Sequence, residues 1–398
     1  MRADLRARLI ARQHAQAAAG LQRRLTLIER SAAPWLWRDG QRLLGFASND
    51  YLGLAAHQAL TEALCAAARD WGVGATAAHL LGGHRTPHAE LEAALAQWTG
   101  YPAARLFATG YMANVGTLDA LLTRGDLCVQ DKLNHAGLLD GARLCGADLR
   151  RYPHADAEGA ARQLALRPDA AALLASDGVF SMDGDEAPLP QLVAVARQTD
   201  ALLLVDDAHG LGVLGPHGAG SVAAAALVAD AVPLLVGTLG KALGTQGAFV
   251  AGSRELIDAL AQFARAQVYS TAPPPALAAA TLCALRLARG DEGEARRAHL
   301  QALIAQWRHG AAQLALPLLP SVTPIQPLLL GSAARATRWS QALAAQGFYV
   351  PAIRPPTVPE GQARLRITLS AAHEAGHVER VLGALGDLQA REPASTLR

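Results

Sequence analysis

The sequence predicts an α/β fold: a large domain with a mainly parallel sheet flanked by helices, and a smaller α+β lobe at the C-terminal end. Three observations carry this. Short apolar runs without alternation recur along the middle of the chain: Leu127 to Gln130, Ala171 to Ser176, Ala201 to Val205 and Val232 to Val236. Such runs suit strands buried on both faces. Helix-patterned segments such as Leu189 to Thr199 lie between them, the alternation that builds helix-covered parallel sheets. The composition then changes at Thr271-Ala272-Pro273-Pro274-Pro275, after which helices and strands follow a different order.

Taken from the start, residues 5–30 predict a helix of mixed face, and Leu36 to Phe46 a hairpin around Asp39-Gly40. Thr86-Pro87 marks a helix start, with the Thr86 hydroxyl as cap and proline at the first helical position. Leu91, Ala94, Leu95 and Trp98 form its buried stripe, and Gly100 with Pro102 stops it. Arg105 to Ala108 is a short strand, and Asn114 to Leu122 a helix with Val115, Leu118 and Leu122 on one face. Beyond the proline run come a long helical stretch, a run from Ile325 to Leu330, a helix through Gln346, strands Phe348 to Val350 and Leu365 to Leu369, and a last helix from about Glu374. The end after Ala390 is expected to fray. The chain divides accordingly into 1–48 (helix and hairpin), 49–285 (large domain) and 286–398 (α+β domain).

Composition excludes several classes. At 398 residues, 51% hydrophobic and 18% charged, the chain is too long for one small core and too apolar for disorder. A net charge of +2 is too small to argue for nucleic acid or an anionic membrane as partner. Arg2, Arg6, Arg8, Arg12, Arg23 and Arg24 cluster near the start, but Asp4 and Glu29 interleave, as on a solvated amphipathic helix. Cys65, Cys128, Cys145 and Cys283 make no C-x-x-C pair, which argues against a metal site and for small buried thiols in a reducing compartment. No signal-peptide core and no run of ~18 apolar residues is present, so a cytoplasmic protein is expected.

The residues that can carry chemistry sit at the ends of the apolar runs. Asp206 ends the run Ala201 to Val205, and Val205-Asp206-Asp207-Ala208-His209-Gly210 places a carboxylate and an imidazole three positions apart. Lys241 lies in Gly237-Thr238-Leu239-Gly240-Lys241-Ala242-Leu243-Gly244, where glycines leave the backbone open around the amine. Together they offer what pyridoxal 5'-phosphate needs: an amine for the carbonyl and an acid partner for the pyridine nitrogen. His209 is a candidate donor to the cofactor's phenolic oxygen, and Thr238 a candidate phosphate ligand. Taken singly, Asp206 reads first as an Asp capping the next turn. Thr109-Gly110-Tyr111-Met112-Ala113-Asn114 joins a strand to a helix, and free amides there suit a phosphate dianion. His135 can stack on the pyridine ring or be a surface histidine; Ser181 can bind the cofactor or belong to a turn built on Asp and Gly. Arg354, Arg364 and Arg366 are candidates to hold a carboxylate bidentately. Gly72-Val73-Gly74 and Gly82-Gly83 lack the spacing and the acidic partner of a dinucleotide fingerprint.

In this order and approximate spacing, these residues resemble the α-oxoamine synthase family of fold type I pyridoxal phosphate enzymes, over nearly the whole chain. Phe46-Ala47-Ser48-Asn49-Asp50-Tyr51-Leu52-Gly53-Leu54 is similar to the family's entry motif, and Asp177 to Gly184, Val205 to Gly210 and Thr238 to Lys241 follow. The resemblance implies an aspartate aminotransferase-like seven-stranded sheet and a homodimer with Thr271 reaching the neighbour's phosphate. It implies Lys241 as the Schiff-base lysine, Asp206 as the pyridinium partner, His209 at the ring oxygen and His135 as the stacking residue. Gly110, Tyr111, Ser181 and Thr238 would surround the cofactor, with the Tyr111 hydroxyl dispensable. Arg23, Asn49, Arg354 and Thr357 would face substrates, Arg24 competing with its neighbour for that role. Within the family, Ala352-Ile353-Arg354-Pro355-Pro356-Thr357-Val358-Pro359 implies L-alanine and a pimeloyl thioester, on coenzyme A or acyl carrier protein, as substrates of a decarboxylative condensation. The alternatives are a member using glycine or serine with another acyl group, and a non-catalytic cofactor sensor on the same fold.

Overall fold

A computed structural model describes Arg2, Asp4–Arg23 and Leu25–Glu392. Its centre is a seven-stranded sheet in the order Ala103–Phe107, Ala248–Gly252, Leu234–Thr238, Leu202–Asp206, Ala172–Asp177, Leu127–Asp131, Asp148–Tyr152. The strands from Leu234–Thr238 to Asp148–Tyr152 pair in parallel, and Ala248–Gly252 runs antiparallel to both of its neighbours. Alternation is hidden from hydropathy because both faces are apolar. Leu127, Val129, Leu203, Val205 and Leu235 enter one core, with Leu91, Leu192 and Leu285 from its helices. Cys128, Leu204, Leu234 and Val236 enter the other, with Leu118, Leu138 and Leu260. Period 2 survives as a choice between two cores rather than between core and water.

Two strands of this sheet escape the sequence patterns. Asp148–Tyr152 carries Asp148, Arg150 and Arg151 because it is an edge, where only one side pairs and charge deters further pairing. Ala248–Gly252 is fully buried but short and bounded by glycines, so nothing marks it as strand rather than turn.

The helix expected over 5–30 stops at Ala18; Gly20 has φ +68°, and Arg30–Ala32 is a strand paired with Trp35–Arg38. The hairpin of Trp35–Arg38 and Gln41–Gly45 turns at Asp39 and Gly40, both at positive φ (51° and 71°), the two-residue geometry an Asp-Gly pair favours. Thr86 is the first residue of helix Thr86–Thr99 rather than its cap; His88 Nδ1 accepts the Arg85 amide (2.9 Å) and closes that end. Of the cysteines only Cys128 is buried, and Cys65 is exposed.

The C-terminal lobe holds an antiparallel sheet of Ile325–Gly331, Ala363–Thr368 and Ala352–Ile353, with helices Ala333–Ala345 and Ala375–Ala390. Gln41–Gly45 pairs in parallel with Phe348–Tyr349, so the N-terminal hairpin is stitched to this lobe. Among the described residues no helix is long and apolar enough to cross a membrane.

Candidate active site

Carboxyl ends of parallel strands converge on one edge of the sheet, and four of them finish on a polar residue: Asp131, Asp177, Asp206 and Thr238. Ligands of such sheets bind there. A cavity of about 210 Å³ opens at this edge, lined by Lys241, Asp206, His209, Thr238, Asp177 and Asn114 from the strand-end side. Gly110, Tyr111, His135 and Ser181 complete its wall.

Lys241 follows strand Leu234–Thr238 on a turn whose amides are already occupied: Leu239 N bonds the Gly247 carbonyl, and Thr245 N the Leu239 carbonyl. Its amine lies 2.7 Å from His209 Nε2, and His209 Nδ1 lies 2.6 Å from the Tyr51 hydroxyl. Tyr51 donates to Asn49 Oδ1 (3.3 Å), which also accepts from Arg366 Nη2 (3.2 Å). One tautomer satisfies this chain: Lys241 donates to Nε2, and Nδ1–H donates to the Tyr51 oxygen. Burial lowers the Lys241 pKa from 10.5 to about 8; Asp206 and Asp177 oppose this and Arg366 adds to it. Burial, with Lys241 and Arg366 nearby, holds His209 neutral.

Asp206 is buried, and its carboxylate accepts from Asn114 Nδ2 (2.5 Å) and the Ala208 amide (3.1 Å). Asn114 stands one helical turn after Gly110, which turns its amide toward the strand end. Asp177, paired in register with Asp206, accepts the His135 amide (3.1 Å) and is pushed well up by burial and by the Asp206 charge. The loop before His135 is fixed in turn, because Asn134 donates to the Ala175 carbonyl and accepts the Asp177 amide (both 2.9 Å).

Helix Gly110–Leu121 opens on the cavity. Thr109 caps the Met112 amide (3.2 Å), which leaves the amides of Gly110 and Tyr111 without an intrahelical partner, as a dianion requires. Thr238 receives the Gly240 amide (3.3 Å) and donates to the Gly247 carbonyl (3.2 Å). The buried Asn114 Oδ1 has no partner among the described residues. An amine, a buried carboxylate, an anion-ready helix end and an orphan acceptor around one cavity fit pyridoxal phosphate. Gly110, Tyr111 and Thr238 would take its phosphate, Asp206 its ring nitrogen and Lys241 its carbonyl.

The structure brings eight sequence-predicted residues into this cavity: Gly110, Tyr111, His135, Ser181, Asp206, His209, Thr238 and Lys241. Tyr111 is nearly half exposed and its hydroxyl bonds Asp140 Oδ2 (3.0 Å) on the surface. Asn49 reaches the cavity through Tyr51 and Arg366. Arg354 lies farther out, donating to the Gly20 carbonyl (2.7 Å), with Thr357 and Arg23 exposed. Arg24 lies outside the described residues. Thr271 is exposed and forms a backbone bridge with Ala78. Both Arg364 and Arg366 are buried; Arg364 is taken up by Asp183 (2.7 Å), whereas Arg366 holds the Ser181 carbonyl (2.7 Å) and Asn49. Sequence reasoning missed roles for Asn114, Asp177 and Tyr51. The helical spacing of Asn114 from Gly110, and the position of Asp177 at the end of an apolar run, are the signals that could have found the first two.

Comparison with known proteins agrees with this chemistry. The family model for aminotransferases of class I and II matches residues 41–385. The 8-amino-7-oxononanoate synthase of Pseudomonas putida is 55% identical over 96% of this chain and 97% of its own. Among solved structures, serine palmitoyltransferase from S. paucimobilis with pyridoxal phosphate and myriocin bound superposes with TM-score 0.92 at 28% identity, covering 98% of this chain and 99% of that one. An 8-amino-7-oxononanoate synthase from Francisella tularensis matches with TM-score 0.75 at 28% identity, covering 87% and 98%. The chain therefore belongs to the aminotransferase class I and II family and, within it, to the 8-amino-7-oxononanoate synthases, pyridoxal-phosphate-dependent enzymes of the acyltransferase type.

Proposed function

We propose that this chain condenses L-alanine with a pimeloyl thioester, releasing carbon dioxide and the thiol, in the pathway to biotin. The supporting observation is a half-buried amine, Lys241, poised against His209 in the cavity that also holds Asp206. Pyridoxal phosphate, when bound, supplies a carbonyl for the amino group and an electron sink for the carbanion at Cα. The chain's own residues do the rest. Asp206, held by Asn114 and the Ala208 amide, keeps a proton on the ring nitrogen. Lys241, with its lowered pKa, takes the proton from the alanine Cα and later returns one. Carbon–carbon bond formation at the thioester carbonyl breaks the carbon–sulfur bond, and the alanine carboxylate leaves as carbon dioxide.

For the alanine carboxylate the sequence points to Arg354, with Arg364 and Arg366 as the next candidates. We assign it to Arg366, whose guanidinium is joined to Asn49 and Ser181, because the equally buried Arg364 is already paired with Asp183. Arg354, with Thr357 and Arg23, belongs to the mouth through which the acyl chain enters. A homodimer completes the site through Thr271; exposed Leu80, Leu81 and Tyr269 flank the Ala78–Thr271 bridge and would be covered by the second copy. The unpaired cysteines suit a reducing compartment, and we place the reaction in the cytoplasm.

The test is a product assay. Purified protein with L-alanine and pimeloyl-CoA, or pimeloyl-acyl carrier protein, should release thiol and 8-amino-7-oxononanoate in equal amounts. Preferred turnover of glycine or serine with another acyl thioester would assign it a different substrate, and no turnover with any would leave a cofactor-binding protein.

A further inference from the structure

His154 lies behind the cavity, two residues past the edge strand Asp148–Tyr152, and has no part in the chemistry above. Its ring meets two carboxylates from different segments. Nδ1 is 3.1 Å from Asp131 Oδ1, and Nε2 is 2.7 Å from Asp185 Oδ2. The ring stands edge-on to Phe180, with centroids 4.4 Å apart at 87°. A carboxylate at each nitrogen calls for an N–H at each, and only the imidazolium has both. A neutral ring would turn a lone pair on one of them. Burial works against the charged ring, but the hydrogen bonds to Asp131 and Asp185 raise its pKa to about 10.

The two carboxylates belong to the segments that wall the cavity. Asp131 ends its strand fully buried, and it also accepts the amides of Leu133 and Ala155, both at 2.7 Å. His135 follows four residues later. Asp185 closes the turn that begins at Phe180, whose amide bonds the Asp185 carbonyl (2.9 Å). Ser181 sits in that turn. On the cavity side each segment is already fixed, His135 by Asp177 and Ser181 by Arg366. The His135 amide thus already meets Asp177, where the Ser181 segment leaves its strand, and His154 adds a second tie between the two segments through Asp131 and Asp185.

We infer that His154 is a positioning residue: bridging Asp131 and Asp185, it holds the segments bearing His135 and Ser181 at the spacing that cofactor and substrate need. This rests on the assignment of His135 and Ser181 to the cofactor site made above. Charge-assisted bonds from a rigid ring suit the task, because misplacement of about 1 Å at a reacting centre costs on the order of 100-fold in rate.

The experiment compares wild type with His154→Phe, which keeps a ring against Phe180 and removes both N–H groups. Hydrogen exchange of the cofactor-free protein should quicken in residues 132–136 and 178–184 together, with the central strands unchanged. Pyridoxal phosphate should bind about tenfold more weakly, and kcat with L-alanine should fall by at least about tenfold. Asp185→Ala should reproduce these effects and add little in the His154→Phe background, because both remove the same bridge. Asp185→Asn keeps an acceptor for Nε2–H and should recover most of the loss. If His154→Phe does not fold, His154→Gln, which can donate to one carboxylate only, carries the comparison. Wild-type exchange in both segments, or effects of His154 and Asp185 that simply add, would overturn the proposal. Wild type that fails to turn over alanine would refute the substrate reading while leaving the exchange and cofactor-binding results to judge the clamp.

Discussion

The floor of the cavity and its mouth are built by different physics. On the floor, Asp206, Asp177 and Thr238 are the last residues of buried strands, and Lys241 follows three residues after one of them. Their partners are side chains and amides of the same sheet edge, at 2.5–3.3 Å. The residues proposed for the mouth, Arg354, Thr357 and Arg23, lie on loops outside the strands, and the described contact of the Arg354 guanidinium is a single main-chain carbonyl, Gly20. A floor fixed without ligand suits a cofactor that stays bound through many turnovers. A mouth held by one exposed bond suits an acyl chain that must enter and leave. Substitutions on the floor should therefore damage the chemical step, and those at the mouth should damage binding.

Lys241→Ala gives the largest expected effect: kcat falls by about 10⁴-fold, the scale of a lost general base, while pyridoxal phosphate still binds weakly. Residual turnover within tenfold of wild type would move the base elsewhere on the floor. Asp206→Asn comes next. An amide cannot hold a charged ring nitrogen, so exchange of the alanine α-proton should slow by about 10²–10³-fold, as for other single electrostatic contacts to a developing charge. Exchange near the wild-type rate would remove Asp206 from its role.

The two arginines sharpen the boundary between floor and mouth. Arg366→Ala should cost about 2–5 kcal/mol in alanine affinity, as truncation of a buried charge partner does, and should slow Cα–H cleavage as well. Even Arg366→Lys should fall short, because a point charge cannot replace a planar fork. Arg354→Ala should raise KM for the thioester and leave alanine binding close to wild type. The reverse pattern would place the carboxylate at Arg354 and redraw the boundary.

A smaller effect follows from the Lys241 pKa, lowered by burial to about 8 from an ordinary 10.5. The amine attacks a carbonyl only when neutral. Coupling of pyridoxal phosphate to the cofactor-free protein should therefore rise about tenfold per pH unit up to about pH 8 and flatten above it. A rise continuing to pH 10 would mean that the floor does not desolvate its lysine.

The same division decides what was legible in the sequence. The floor was readable because strand ends put chemistry at fixed places: an apolar run closing on Asp206 and a glycine-bracketed Lys241 are local patterns with a local cause. The hairpin at Asp39-Gly40 was readable for the same reason. Long-range contacts were not. Nothing in the run Asn49-Asp50-Tyr51 announces that Tyr51 will meet His209, 158 residues away. Nor does the spacing of Arg354, Arg364 and Arg366 show that Arg364 and Arg366, two apart on one face of Ala363–Thr368, are both buried, or that Asp183 engages the first while Ser181 and Asn49 engage the second. The edge strand Asp148–Tyr152 went unseen because its charges obey the rule for edges, which hides it from a search for apolar runs. The helix expected through residue 30 failed at Gly20, whose positive φ ends the helical path.

The central claim is that the floor presents Lys241, and no other lysine, to the cofactor. Borohydride reduction of the yellow holoenzyme, followed by peptide mapping, tests it directly. One stable pyridoxyl adduct is expected, on the peptide containing Lys241, and none in Lys241→Ala. An adduct on Lys132, or a holoenzyme whose cofactor washes away after reduction, would contradict it.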